Sequence, residues 1–383
     1  MRLLILDKDY PDNTHGYSDG FVESRALEYR RLGHEVSVLR FFLPKEDSYA
    51  RLGIPVACAP DLASVRGAMD SIAPDVIMVH FFQGWMLKKL FSDRETPLVV
   101  WVHGVEALGF WRRLFNLSQG REFLTYAKYN LLQLPRMRRL LRATLSPRRR
   151  IGVIFVSKWM KRVALTDTLA FRSRHKVIPN PISVDYFAYH EKPVALRHSI
   201  LLIRSFSSRK YATDLACAAL TRMLQANPQD HYKVTIIGSG HFFEEDVAEL
   251  RADPRVEIVN RFLTHEEIRD LHAQHGVFLC PTRQDAQGVS MCEAMASGLV
   301  PIASRSTAIP EFVRDGQDGF LTRDIDGLVH ALTRIAREPA TFAAMSASAA
   351  SHIRELTNVE SIARRELEFV DEIAGTDMQV KSK

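Results

Sequence analysis

Short apolar runs recur along the chain in two series, one on each side of the string Val177–Phe187, VIPNPISVDYF, and this recurrence limits the available folds more than any other feature. The first series reads as strands at Arg2–Leu6, Glu35–Leu39, Asp75–His80, Leu98–Val102 and Ile151–Val156. The second reads as strands at Ile200–Ile203, Val234–Ile237, Val256–Val259, Val277–Cys280 and Val300–Ala303. The stretches between them have helical spacing: Val22, Ala26, Tyr29 and Leu32 recur on one face before Gly33, and Thr264 with Glu267 forms a capping box that opens a helix through Ile268 and Leu271. Strands alternating with helices are the pattern of a parallel sheet wound with helices. Pro179 and Pro181, flanking Asn180, forbid a helix between the two series and read as an extended connector. At 383 residues the chain is too long for one core. The expectation is an α/β protein of two similar domains, residues 1–185 and 186–355, facing each other across a cleft.

Hydrophobic residues make up 46% of the chain and charged residues 25%, a balance suited to soluble globular domains, and no run reaches the ~18 apolar residues of a membrane span. The opening MRLLILDKD has four consecutive apolar residues before Asp7, too few for a signal peptide, so a cytoplasmic location is expected. Cys58, Cys217, Cys280 and Cys292 lack CxxC spacing and read as reduced, mostly buried thiols. The net charge of +6 is unevenly spread: Trp111 to Arg150 holds eleven Arg and Lys against the single acid Glu122, so the remainder is net negative. Phe110, Trp111, Leu114, Phe115, Tyr126, Tyr129, Leu131, Leu132, Leu140 and Leu141 are interleaved with these cations. That mixture suits an anionic membrane surface on residues 111–150, with a peripheral hold on the inner face of the membrane; a solvated helical face is the other reading. No nucleic-acid module accompanies the charges, so a membrane or a polyanionic acceptor is expected rather than nucleic acid.

The most informative stretch for function is Val277–Leu321, in which Asp285 and Glu293 stand eight residues apart. Pro281 stops the strand at Val277–Cys280, and Gly288 opens a segment whose Val289, Met291, Ala294 and Met295 suit one face of a helix. Amides from Gly288 through Val289 to Ser290 would be unpaired at such a helix start and favour a phosphate, while Glu293, one turn on, could accept hydrogen bonds from sugar hydroxyls. Together these point to a nucleotide sugar.

This segment resembles the donor-binding signature of the retaining glycosyltransferases of family GT4 (glycosyl transferases group 1), which have the GT-B fold of two Rossmann-like domains, written here D-x7-E in place of E-x7-E. The likeness continues through Gly298, Ile302, Ala303, Ser304, Glu311 and Gly316 to Gly319. It implies a metal-independent enzyme without a cofactor, taking a UDP- or GDP-sugar as donor and a saccharide or lipid-linked molecule as acceptor. It also implies that residues 356–375 form a helix returning to the first domain, that Asp285 holds the donor sugar and that Glu293 holds the ribose. Arg204 and Lys210 would neutralise the leaving diphosphate, a large term in such a transfer; Arg209 is the alternative to Lys210 by one residue. His103, in an HG pair at a strand end, would reach the donor sugar and orient it. Gly16 would approach a phosphate. Gly238 and Gly240, after a strand, could admit a ligand or simply make a tight turn. Gln287 and the shorter Asp285 depart from the family pattern and point to an altered sugar pocket. Two other readings stay open: a sugar-nucleotide epimerase and a non-catalytic sugar-nucleotide-binding protein.

Overall fold

The alternating apolar runs become two sheets in the computed structural model, which describes residues 1–12 and 20–375. The strands are β1 (Arg2–Leu6), β2 (Glu35–Phe41), β3 (Asp47–Arg51), β4 (Ile54–Ala59), β5 (Val76–Val79), β6 (Leu98–Val102), β7 (Ile151–Phe155), β8 (His175–Val177), β9 (Ser199–Ile203), β10 (Lys233–Gly238), β11 (Val256–Asn260), β12 (Val277–Cys280), β13 (Val300–Ser304) and β14 (Phe320–Thr322). The helices are α1 (Gly20–Arg31), α2 (Leu62–Ile72), α3 (Met86–Lys89), α4 (Arg121–Ala143), α5 (Lys158–Asp167), α6 (Thr213–Ala226), α7 (Phe243–Val247), α8 (His265–Gln274), α9 (Val289–Ala296), α10 (Ile325–Arg337), α11 (Pro339–Leu356) and α12 (Val359–Ala374). Two compact units result. The first comprises Met1–Leu114, Gln119–Pro181 and the chain from Val359; the second comprises Phe115–Ser118 and Ile182–Asn358.

The first unit holds an eight-stranded sheet in the order β3-β4-β2-β1-β5-β6-β7-β8. Every neighbouring pair is parallel except β3 with β4. Strands β3 and β4 were not expected from sequence, because β3 (DSYAR) is polar and Pro55 interrupts β4. What makes the hairpin is its turn, where Leu52 and Gly53 both take positive φ, 48° and 78°. Between β1 and β5 the winding reverses, and open α/β sheets place ligands at the carboxyl ends of strands beside such a reversal. His80 follows β5 and His103 follows β6 at that end.

α12 belongs to this unit. Its Glu366 is fully buried and receives Arg25 of α1 at 3.0 Å, the Tyr29 hydroxyl at 2.5 Å and the Trp101 indole N–H at 3.0 Å. A buried carboxylate held by three donors, one of them a guanidinium, is satisfied rather than orphaned. α4 lays Phe123, Leu134, Met137, Leu140 and Leu141 into the interior. Leu140 and Leu141, grouped by sequence with the outward apolar residues, are therefore core, because they fall on the same helical face as Leu134 and Met137.

The second unit holds a six-stranded, all-parallel sheet in the order β11-β10-β9-β12-β13-β14. The winding reverses between β9 and β12, so the loops after Ile203 and Cys280 meet at its ligand end. Its core joins Ile200, Leu202, Val234 and Ile236 of the sheet to Leu220 and Leu332 of the helices. The capping box read at Thr264 and Glu267 is present at the start of α8. Among the described residues no helix is long and apolar enough to cross a membrane, and no cluster of His, Cys, Asp or Glu could hold a metal ion. All four cysteines are buried free thiols.

Candidate nucleotide-sugar site

Each unit contributes its own set of predicted residues. In the second unit the loop after β9 carries Arg204, Arg209 and Lys210, and the loop after β12 carries Asp285 and leads into α9. The two loops are tied through one carbonyl: Lys210 O accepts the Arg283 N–H at 2.8 Å and the Thr282 hydroxyl at 2.9 Å. Arg283 in turn donates to Arg209 O at 2.8 Å and grips Asp214 with both ends of its guanidinium. The cation-bearing loop is thus fixed to the carboxylate-bearing loop through its Arg209 and Lys210 carbonyls, a linkage that does not use the Lys210 side chain.

Arg204 is buried and donates to Ser290 Oγ at 3.2 Å and to Cys280 O at 3.4 Å, while its Nε has no protein partner. Lys210 Nζ lies 4.4 Å from the centre of the Tyr211 ring, and the Arg204 guanidinium lies 5.7 Å from the same centre. Both cations lie against one aromatic ring, and neither has a carboxylate partner among the described residues. Arg209, the alternative by sequence, is engaged elsewhere. It pairs with Asp246 at 2.5 Å and with Glu245 at 3.1 Å, over the Phe242 ring at 3.7 Å. A guanidinium neutralised in this way contributes little to a diphosphate site, so Arg209 is a structural ion pair.

The D-x7-E carboxylates differ sharply. Asp285 is half-buried, and its Oδ1 accepts the Gln287 N–H at 3.2 Å and the Gly288 N–H at 2.8 Å. The Gly288 amide, expected to be unpaired, is therefore occupied, because a carboxylate three residues earlier reaches it first. Val289 and Ser290 open α9 behind it, and the first amides of a helix have no acceptor within that helix. Gly288 itself sits at φ 83°, a left-handed conformation that a side chain would strain. Glu293 is 7% exposed, its Oε2 has no protein partner, and burial pushes its carboxyl up to about 8. An orphaned, buried acid group one turn past Ser290 is suited to hydroxyls that a ligand would bring.

Gly238 ends β10, but its close approach is to the protein's own chain. A Cβ there would lie 1.9 Å from Arg204 O, and one at Gly240 would lie 2.3 Å from the Phe206 and Ser207 backbone. Both glycines let the β10 and β9 loops pack closely, as the tight-turn reading expects, and that packing positions Arg204.

In the first unit His103 Nε2 lies 2.9 Å from His80 Nδ1, and the rings stack. His103 Nδ1 has no partner, and both the Phe21 and Phe81 rings lie against the imidazole. Burial, with Arg25 nearby, holds both histidines well below the usual range, so both are neutral near pH 7. One hydrogen sits between them; the unpaired Nδ1 of His103 is what a sugar hydroxyl could meet. Glu106 accepts the His103 and Gly104 amides at 3.1 and 2.7 Å and fixes the loop. Gly16 lies outside the described residues. Tyr211 and His80 were missed by sequence reading. A signal existed for His80, since two neighbouring strands both end in histidine.

Two Rossmann-like sheets, each with chemistry at the carboxyl ends beside its reversal, make this a GT-B protein. The family model for Glycosyltransferase Family 4 matches residues 21–186 and that for Glycosyl transferases group 1 matches residues 197–338. The chain belongs to the GT4 glycosyltransferases. The D-inositol 3-phosphate glycosyltransferase of Streptomyces scabiei is 28% identical over 152 residues, 37% of this chain and 34% of its own. The GDP-mannose:cellobiosyl-diphosphopolyprenol alpha-mannosyltransferase of Xanthomonas oryzae pv. oryzae is 29% identical over 161 residues, 40% of each chain. The chain thus spans only about a third to two fifths of the length of these curated relatives. The solved sucrose-phosphate synthase of Thermosynechococcus elongatus aligns over 98% of this chain and all of its own, with a TM-score of 0.78 and 15% identity, a likeness of fold alone.

Proposed function

We propose that the protein transfers a sugar, with retention of configuration, from a nucleoside-diphosphate sugar to a cell-envelope glycan or glycolipid. The observation that carries this reading is the second unit's pairing of two carboxylate-free cations, Arg204 and Lys210, with the orphaned acid of Glu293 beside the start of α9. Arg204 and Lys210 neutralise the diphosphate as the glycosidic C–O bond breaks and its electrons pass to the phosphate oxygen. Glu293 holds ribose hydroxyls. Asp285, whose Oδ1 is held by its own loop, offers its second oxygen to the donor sugar. His103 orients the sugar rather than acting as base, because burial beside Arg25 weakens its hold on a proton. The acceptor hydroxyl bonds to the anomeric carbon on the face the diphosphate leaves, and its proton goes to the departing phosphate oxygen. The cations make a metal unnecessary in this scheme. An anionic membrane on residues 111–150 would present a lipid-linked acceptor, in keeping with a peripheral place on the inner face of the cell membrane.

The test is incubation with a panel of UDP- and GDP-sugars, with and without EDTA, followed by separation of products. Transfer, or slow donor hydrolysis, that survives EDTA is expected. Conversion of the donor to an epimer without any acceptor would replace the reading with epimerisation, and donor binding with neither transfer nor hydrolysis would reduce the protein to a sugar-nucleotide binder.

A further inference from the structure

We infer that the outward face of α4 is a docking surface for an anionic phospholipid bilayer. This extends the membrane partner of the preceding reading, but it rests on the surface alone and not on sugar transfer. Leu124, Leu131 and Leu132 are 59%, 61% and 60% exposed. Spacings of seven and eight place them on one side of the helix, opposite the stripe from Phe123 through Leu134 and Met137 that enters the core. Single exposed leucines are ordinary, but three on one exposed helical face form a patch.

Charge identifies what covers it. Arg121, Lys128, Arg139 and Arg142 share that face, Arg138 borders it, and none forms an ion pair among the described residues. The one acid of the helix, Glu122, falls on another side. Cations flanking leucines match the headgroup and acyl layers of an anionic leaflet, whereas a protein partner's apolar surface would leave them uncompensated. Pro135, exposed on the same face, has no N–H for the Leu131 carbonyl. Water or a headgroup donor can serve that carbonyl at a shallow depth of the interface. The segment before α4 also carries exposed apolar groups, among them Trp111 at 45% and Leu114 at 51%. It is fastened to the helix by the Phe110 N–H donating to Asn130 at 2.8 Å and by Arg113 lying over the Tyr126 ring at 4.6 Å. The patch is thus a preformed surface that needs no refolding to bind.

The experiment is flotation of the full chain with phosphatidylcholine vesicles, with and without phosphatidylglycerol, in low and high salt. Two variants accompany the wild type: Leu124→Ser with Leu131→Ser and Leu132→Ser, and Lys128→Gln with Arg139→Gln and Arg142→Gln. Binding to phosphatidylglycerol vesicles that high salt weakens is expected. The charge variant should lose roughly a hundredfold in partition, at about fivefold per cation, and the leucine variant at least about tenfold. Donor hydrolysis in solution should be unchanged in both, which separates failure here from failure of the transferase reading. Equal binding to neutral vesicles, no binding to anionic ones, no effect of either variant, or displacement of the vesicles by equimolar single-stranded RNA overturns the inference.

Discussion

Asp285 Oδ1 accepts the Gly288 amide at 2.8 Å, so the first carboxylate of the D-x7-E pair caps the turn that launches α9. The same residue can face the donor only through its second oxygen. Removing the side chain in Asp285→Ala should lower stability by about 1–2 kcal/mol, the usual cost of a lost cap, and also reduce transfer. Asp285→Asn keeps an acceptor for the amides and should recover most of the stability without the activity. Thermal unfolding of the two variants measures the first effect; an unchanged midpoint in Asp285→Ala would refute the capping role.

Glu293 makes the protein's stability depend on pH in an unusual direction. Its carboxyl is raised from 4.5 to about 8 by burial. Between those values the unfolded chain releases this proton and the folded chain keeps it, so this contribution is complete below 4.5 and is lost as pH rises through 8. The slope is at most about 1.4 kcal/mol per pH unit. Glu293→Gln should flatten it, making the variant relatively more stable at pH 8.5 than at pH 5.5, while weakening donor binding by roughly tenfold. Urea midpoints at the two pH values provide the check, and parallel curves for wild type and variant would contradict it.

The buried histidines act oppositely. His80 and His103 are held well below 6.5, so the folded state resists protons that the unfolded chain takes up. Their contribution is present above pH 6.5 and is lost as pH falls through and below it. His80→Phe should remove part of this acid sensitivity, and by releasing His103 it should raise KM for the donor more than it lowers kcat. Acid unfolding curves that coincide for wild type and variant would count against the pair.

Lys210→Ala and Arg209→Ala should separate by phenotype. The lysine has no carboxylate partner, so its loss should cut kcat/KM by roughly a hundredfold with little change in stability, as removal of a charge-stabilising donor does. Loss of Arg209 strands the Asp246 carboxylate, whose side chain is 2% exposed, and should cost roughly 2–3 kcal/mol in urea unfolding, discounted because Thr213 also donates to it. The reverse pattern of defects would move the diphosphate site to Arg209.

Glu366→Ala should be the most destabilising of these changes, at roughly 3–5 kcal/mol, because it leaves Arg25 buried without its counter-charge and frees Tyr29 and Trp101. Chemical denaturation measures it; a loss below about 1 kcal/mol would mean that α12 is held by its apolar stripe alone.

Local chemistry made much of this protein legible in advance. The runs Arg2–Leu6, Leu98–Val102 and Val277–Cys280 became strands at the expected bounds, and Thr264 with Glu267 capped α8, because strand burial and helix capping involve residues close in sequence. The D-x7-E spacing with its glycine likewise named the helix start. Tertiary structure decided what those residues are free to do. Arg209 and Lys210 are adjacent and both cationic; only packing against α7 brings Asp246 to one of them and leaves the other over Tyr211. The Gly238 approach to Arg204 O, the pairing of His80 with His103 and the burial of Leu140 beside an exposed Leu132 arise the same way. A side chain's partner, and with it its charge state and availability, is set by elements distant in the chain, and no local pattern encodes it.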